Sequence, residues 1–230
     1  MVPLSFADQE FALVQGRALY WPREQALLVA DLHLEKASWY AARGQMLPPY
    51  DSRETLERIA LAIRETGARR VYTLGDNFHD QSGADRLEPH AAGMLSALTR
   101  VADWVWITGN HDEALPGSIG GTVVDELDLA GIVLRHIARP GETKAELSGH
   151  FHPKLRLSVR GRALARPCAV IGRPATGGER MILPAFGTLT GGMDAGAREI
   201  VTALQPARSI DAVLPAGRKL AQFPLWRAAA

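Results

Sequence analysis

The side chains with the most chemical reach in this 230-residue chain are its histidines and the carboxylates near them. Leu28-Val29-Ala30 is an apolar run of strand length that stops at Asp31-Leu32-His33. Alternate side chains at a strand end project to one side. An oxygen and a nitrogen ligand would therefore stand together, a pairing suited to manganese, iron or zinc. The pattern recurs along the chain. Val71-Tyr72-Thr73-Leu74 runs into Gly75-Asp76-Asn77-Phe78-His79-Asp80, and the run 104–108 into Gly109-Asn110-His111-Asp112. The run 132–135 is followed by His136, and Glu146-Leu147-Ser148 by Gly149-His150-Phe151-His152. Five strand-like runs thus end at Asp31, Asp76, Asn110, His136 and His150, and of the seven histidines only His90 lies away from them. Ligands of open α/β folds collect at the carboxyl ends of strands, so these ends could share one crevice. Taken singly, Asp31 or Asp76 could be a helix or turn cap, Asn110 a turn residue after glycine, and His136 an exposed strand end. A scatter of unrelated core histidines would not gather in this way.

Elements that could position these residues are visible around them. Residues 11–14 and 18–21 read as a hairpin, and 27–30 as the strand before Asp31. A helix candidate from Glu35 to about Arg43 is stopped by Gly44 and Pro48-Pro49. Asp51 and Ser52 can cap a second helix that keeps helical spacing through Leu56, Ile59, Ala60 and Ile63 to Gly67. A third helix is expected from about Pro89 to Thr99. The chain between the first three strand ends is long enough for βαβ crossovers, which need roughly 30 residues or more. The first half is therefore α/β with at least three parallel strands. After Pro116 the runs are short and strand-like, with a hairpin turn at Ser158-Val159-Arg160-Gly161-Arg162, so the second half is mostly β, a second sheet packed on the first. Trp104 and Trp106 alternate with Val105 and are expected in the core. No repeat, low-complexity segment or linker is visible, and one domain over 1–230 is expected. The hydrophobic Phe223-Pro224-Leu225-Trp226 near the end could pack on the body or on a partner.

Composition excludes several classes of protein. A hydrophobic content of 47% with 22% charged residues is that of a folded globular chain. No apolar run approaches the roughly 18 residues needed to span a bilayer, so no transmembrane helix or membrane partner is expected. The first residues lack the basic and apolar regions of a secretory signal. The single cysteine, Cys168, gives no internal disulfide, and the cytoplasm is the expected compartment. A net charge of +1 is far from that of a protein that coats nucleic acid. Residues 154–180 nonetheless carry seven basic residues against Glu179. They are open to two readings, the solvated face of a hairpin or a phosphate-steering patch.

Asp31-x-His33, Gly75-Asp76, Gly109-Asn110-His111-Asp112, the lone His136 and Gly149-His150-x-His152 resemble, in order, the motif set of the calcineurin-like metallophosphoesterases. A narrower resemblance rests on Asp31-Leu32-His33-Leu34-Glu35-Lys36, Ala42-Arg43-Gly44-Gln45, Leu47-Pro48-Pro49-Tyr50-Asp51, Gly75-Asp76-x-Phe78-His79-Asp80, and Pro184-Ala185-Phe186-Gly187 with Thr190-Gly191-Gly192. These are similar to the DNA ligase-associated subgroup, whose members are described as phosphodiesterases or endonucleases encoded with a ligase and a helicase. The resemblance implies an αββα sandwich, two mixed sheets flanked by helices, with a dinuclear metal site at the strand ends. It implies two divalent ions about 3.5–4 Å apart. Asp31, His33 and His152 would hold the first, Asn110, His136 and His150 the second, and Asp76 would bridge both. Manganese is the first expectation, with iron or zinc as alternatives.

Two carboxylates against two divalent ions leave a positive site, suited to a bridging hydroxide and an anionic phosphate. In-line attack by that hydroxide on phosphorus follows, with His111 placed to protonate the leaving oxygen. Asp112 either orients His111 or serves as a turn or cap residue. His79 and Arg43 could contact a substrate phosphate, and a surface position explains either equally. Phe186 and Gly191-Gly192 read as a tight turn near the site. The expected activity is hydrolysis of phosphodiester bonds in nucleic acid during DNA repair, with a ligase and a helicase as functional partners. The rivals are a phosphohydrolase of nucleotides, nucleotide-sugar pyrophosphates or small phosphomonoesters, and an inactive scaffold.

Overall fold

The computed structural model describes residues 1–112, 115–159 and 161–228. The first sheet contains β1 (Val2–Phe6), β2 (Gln9–Val14), β3 (Ala18–Trp21), β4 (Ala26–Val29), β5 (Arg70–Leu74), β6 (Asp103–Ile107) and β7 (Thr122–Val124), in that spatial order. β1 to β4 form an antiparallel meander, and β4 to β7 are parallel. The crossovers carry α1 (Lys36–Ala41), α2 (Asp51–Thr66), α3 (Gly83–Arg86) and α4 (Pro89–Val101). The second half adds β8 (Leu127–Leu129), β9 (Ile132–Leu134), β10 (Ala145–Ser148), β11 (Pro153–Val159), β12 (Arg162–Pro167), β13 (Ala169–Arg173), β14 (Arg180–Ile182), β15 (Met193–Asp194), α5 (Arg198–Ala203), β16 (Ser209–Ala216) and β17 (Lys219–Arg227). A mixed second sheet runs β17-β16-β13-β14-β10-β9-β8, while β12-β11-β15 form a small third sheet.

Side-chain alternation explains the layering. In β4, Ala26 and Leu28 face the second sheet, where Trp21, Tyr72 and Ile107 meet Leu134, Leu147, Ile171 and Met181. Leu27 and Val29 face the other way, onto Leu56 and Ile59 of α2 and Leu95 and Leu98 of α4. Both faces of β4 are buried, which is why its sequence is a continuous apolar run. Trp104 and Trp106 lie in that outer layer, as core residues. Beyond the second sheet, Ile200 and Leu204 pack on Val170, Ile182 and Ile210. Each large apolar side chain moved from water into these layers stabilises the fold by about 1.5–3 kcal/mol. Phe223, Leu225 and Trp226 pack against this third cluster, so the C-terminal segment closes on the body. The result is an αββα sandwich, in which one outer layer consists of α5 together with the small sheet.

Several local expectations are corrected. The N-terminal hairpin of β2 and β3 gains β1 as a further strand of the meander, because Val2, Leu4 and Phe6 bury alternate positions of β1. Asp51 and Ser52 do not cap their own helix, whose N-cap is Tyr50. The Asp51 carboxylate instead accepts a hydrogen bond of 3.0 Å from the Ala37 amide, and Ser52 Oγ one of 2.8 Å from the Glu35 amide, so both serve the start of α1. The 153–167 hairpin belongs to the third sheet rather than the second. Arg160 lies outside the described residues. Among the described residues no helix is long and apolar enough to cross a membrane.

Candidate metal centre

The parallel order of β4, β5 and β6 brings Asp31, Asp76 and Asn110 to one end of the first sheet, and β9 and β10 bring His136 and His150 to the same end of the second. Asp31, His33, Asp76, His150 and His152 all have left-handed backbones, with φ of 53°, 45°, 47°, 73° and 48°. That conformation costs a non-glycine residue roughly 1–2 kcal/mol, and such strain gathers where the surroundings enforce a functional geometry. Here the enforcement is visible. The His33 amide donates to the Asp76 carbonyl at 2.9 Å, the Asp31 amide to Gly75 at 3.2 Å, and the Gly149 amide to His136 at 2.9 Å. The Asp31 carboxylate accepts from the His150 amide at 3.0 Å, tying the two sheets together at the site.

Glycines make the approach possible. A Cβ on Gly109 would stand 2.2 Å from the Asp76 nitrogen, and one on Gly149 would stand 2.8 Å from Asp31 Oδ2. Asp112 then fastens the loops from below. Its buried carboxylate accepts from the amides of Asn77 at 2.6 Å, Phe78 at 3.0 Å and Gly109 at 2.9 Å. Burial pushes the Asp112 carboxyl up to about 6, against the pull of those donors. The carboxylate therefore meets the backbone just after Asp76 and just before Asn110 rather than the His111 ring. Asn77, which the sequence reading passed over, is fully buried and donates from its side chain to the Ile107 carbonyl at 2.9 Å.

Ligand-type atoms converge in two groups that share Asp76: Asp31, His33, Asp76 and His152 in one, Asp76, His136 and His150 in the other. In the first, His33 Nε2 lies 3.2 Å from His152 Nε2 and 3.6 Å from Asp76 Oδ2, and His152 Nε2 lies 3.6 Å from Asp31 Oδ1. In the second, His136 Nδ1–H donates to the Leu74 carbonyl at 3.0 Å, which leaves the Nε2 lone pair facing inward. It meets Asn110 Oδ1 at 3.0 Å, His150 Nδ1 at 3.2 Å and Asp76 Oδ1 at 3.3 Å. Lone pairs aimed at one another repel unless a cation lies among them. Atoms bound at about 2.0–2.2 Å from a common ion, about 90–109° apart, are separated by about 3.0–3.5 Å. The donor set therefore fits two divalent ions. Burial, followed by the charge of neighbouring His152, drives His33 far below the usual imidazole range, and burial then His136 lower His150. Both rings are held neutral, the form that binds metal.

The remaining predicted residues sit around this cluster. His111 lies beside Asp76: its amide donates to Asp76 Oδ1 at 3.1 Å, and its ring Nδ1–H donates to the His79 carbonyl at 2.8 Å. His111 Nε2 is thereby left towards the shared carboxylate, 3.9 Å from Asp76 Oδ2. His79 stacks on His111 with ring centres 5.2 Å apart, and its Nδ1 is 3.4 Å from His33 Nδ1. Burial pulls the His79 imidazole down to about 4. Arg43 is not brought to the cluster. Its guanidinium covers the Trp39 ring at 3.7 Å, and Trp39 in turn packs on His79. Phe186 and Gly187 run alongside the Asp31 loop, their amides donating to the carbonyls of Ala30 and Asp31 at 2.8 and 3.2 Å. Lys36 stands in the subgroup motif, but sequence reasoning gave it no role at the site. Burial lowers its ammonium, while Asp51 and Asp76 oppose the shift. A cation three residues after His33 was the available signal. An open cleft of about 520 Å³ adjoins the cluster, lined by His150, Phe151, His152, Gly192, Met193 and Glu199.

The chain is 31% identical to the nuclease MPE of Pseudomonas putida, over 97% of this chain and 98% of that one, with a TM-score of 0.69. YfcE, a phosphoesterase from E. coli, is 15% identical over 87% of this chain and 98% of that one, with a TM-score of 0.41. No protein-family model and no curated protein matches the chain.

Proposed function

This chain belongs to the calcineurin-like metallophosphoesterase family, and from that premise we propose that it hydrolyses phosphodiester bonds of nucleic acid. The observation that supports this reading most is the pair of ligand groups sharing Asp76. Asp31, His33 and His152 would hold one divalent ion, Asn110, His136 and His150 the other, and Asp76 both, with manganese as the proposed metal. When bound, such ions supply Lewis acidity towards phosphoryl oxygens and an activated water.

The chain's own groups do the rest. The His79 carbonyl fixes His111 in the orientation that presents Nε2 beside Asp76. A proton on that nitrogen passes to the oxygen leaving phosphorus, which would otherwise depart as an alkoxide. Asp112 is a positioning residue, holding the 76–78 loop against Gly109 so that Asp76 and Asn110 keep their separation. His79 and Lys36 border the site as further candidates for substrate contact. The nuclease activity of the P. putida relative supports nucleic acid as substrate. A role in DNA repair beside a ligase and a helicase belongs to the same proposal, and rests on the subgroup motifs. A compact substrate, such as a nucleotide or phosphomonoester, is the second reading. It is favoured by Glu199 in the cleft wall, whose charge opposes a second phosphate on that side.

The test is a turnover screen with manganese on activated monoesters and diesters, cyclic nucleotides, nucleotide pyrophosphates, and single- and double-stranded DNA. Turnover of diesters and DNA is expected. Activity confined to monoesters or pyrophosphates would replace the substrate, and no activity despite two bound metals would indicate a scaffold.

A further inference from the structure

The end of the sandwich that carries the ligand cluster also carries cations that the cluster does not use. Leu19 of β3 lies opposite Leu28 of β4, so the turn before β3, with Arg17, is at the same end as Asp31. In the second sheet Ser148 pairs with Ile182, Ile182 with Val170, and Val170 with Ala212. The turn between β16 and β17, with Arg218 and Lys219, therefore lies at the end that carries His150. A cleft of about 610 Å³ opens between these turns, lined by Arg17, Arg166, Pro167, Pro215 and Gly217. Lys154, which follows His152 and Pro153, pairs with Pro167 in the cleft wall and so joins the groove to the cluster.

Arg17, Lys154, Arg166, Arg218 and Lys219 have no carboxylate at ion-pair distance among the described residues, whereas Arg156 nearby is paired with Asp194 at 3.5 Å. Arg17 donates to the Gly187 carbonyl at 3.1 Å and Lys154 to the Thr190 carbonyl at 3.4 Å, and both acceptors are neutral. Like charges crowded together raise the energy of the folded chain until an anion lies among them. The chain as a whole carries 25 acidic residues, yet among the described residues none is set against these five cations. Two of these cations, Arg17 and Arg166, line the open groove, and Lys154 links its Pro167 wall to a ligand histidine. Arg218 and Lys219 follow directly on Gly217 in its wall, an arrangement that matches a row of phosphates.

We propose that this groove carries the phosphate backbone of a nucleic-acid strand to one side of the scissile phosphodiester. The proposal rests on the phosphodiesterase reading above. Arg166, Arg218 and Lys219 are exposed and make no side-chain hydrogen bond among the described residues, so replacing them with glutamine leaves the core intact. Arg17 and Lys154 are kept, because they also hold the 184–192 loop.

The experiment measures binding of a short labelled single strand by fluorescence anisotropy. It compares the full chain with the Arg166→Gln/Arg218→Gln/Lys219→Gln variant, in chelator, from about 50 to 200 mM salt. Each lost phosphate contact flattens the dependence of log K on log salt by about 0.7, so the variant's slope should be shallower by about 2. Its affinity at low salt should fall by about tenfold or more. Equal slopes and affinities in the two proteins, or no binding by the unaltered chain at low salt, overturn the groove. Turnover of a small activated diester by the unaltered chain with manganese is scored separately. Turnover with unchanged slopes keeps the enzyme and removes the groove, whereas no turnover removes the phosphodiesterase reading itself.

Discussion

Three glycines separate the contributions of backbone strain and close approach to the metal centre. Gly75, immediately before Asp76, has φ 77°, and a Cβ there would lie 2.3 Å from His136 Nδ1 and 2.6 Å from His136 Cβ. An alanine at this position pays a left-handed penalty of roughly 1–2 kcal/mol and an overpacking penalty of roughly 1–3 kcal/mol, about 2–5 kcal/mol in all. Gly109 lacks the left-handed backbone, but its Cβ would lie 2.2 Å from the Asp76 nitrogen and 2.4 Å from Asp76 Oδ1, so only the second penalty applies. Gly44 has φ 81° and nothing within 4 Å of its Cβ, so only the first applies. The overpacking in Gly75→Ala and Gly109→Ala is relieved by moving His136 or Asp76, both proposed ligands. A weakening of metal binding by 1.4 kcal/mol or more, about tenfold, is expected in each. Gly44→Ala should lose about 1–2 kcal/mol of stability and keep its metal affinity. Urea unfolding reads the first quantity, and calorimetric titration of metal-free protein with Mn²⁺ reads the second. Unaltered manganese affinity in Gly75→Ala and Gly109→Ala would refute the reasoning, because it would show that neither His136 nor Asp76 is needed where the fold puts it.

Replacing His111 with alanine should lower turnover of diesters with poor leaving groups by about 10²–10⁴-fold while activated diesters lose far less; equal losses on both would remove His111 from the acid role. Asp112→Asn leaves an amide where three backbone N–H groups converge, and should cost about 1.5–3 kcal/mol of stability in urea unfolding, with activity on both diester types falling together. A loss that tracked leaving-group quality would instead tie Asp112 to proton transfer. The buried Cys168 thiol is pushed up to about 12 by burial, so at pH 8 only about one molecule in ten thousand carries the reactive thiolate. Thiol reagents should therefore label it only on unfolding. We propose that the chain unfolds as one domain. In denaturant, labelling of Cys168 beside the second sheet should then coincide with the tryptophan fluorescence change. Three of the five tryptophans, Trp21, Trp104 and Trp106, contribute to that change from the first sheet, and two separate midpoints would count against a single unit.

The centre was more legible than the frame around it. Asp31, Asp76, Asn110, His136 and His150 stand out in the sequence because a strand of apolar residues has few reasons to stop repeatedly at ligand-type side chains. Their convergence depends only on the strands being parallel or sharing an end, and the lengths between them constrain that. β1 was not legible because Pro3 discourages a strand reading, although an edge strand tolerates a proline; the burial of Val2, Leu4 and Phe6 is a tertiary effect. Pro215 and Pro224 hid the β16–β17 hairpin in the same way. Asp51 and Ser52 have the residue types of an N-cap, and nothing local shows that they turn to the start of the preceding helix. Asp112 was open between two roles because its three backbone donors come from Gly109 and from a loop about 35 residues earlier in the chain. The groove of cations was only half visible, since Arg166 and Lys154 lie in the basic segment while Arg17 and Arg218 reach it through strand pairing.

Asp76 carries the central claim, because it alone belongs to both ligand groups. Metal content per chain and turnover of an activated phosphodiester can be measured on the same preparations of the unaltered protein and of Asp76→Ala. Two divalent ions and manganese-dependent turnover are expected in the first, with both lost together in the second. An Asp76→Ala protein that remained folded, empty of metal and fully active would contradict the account.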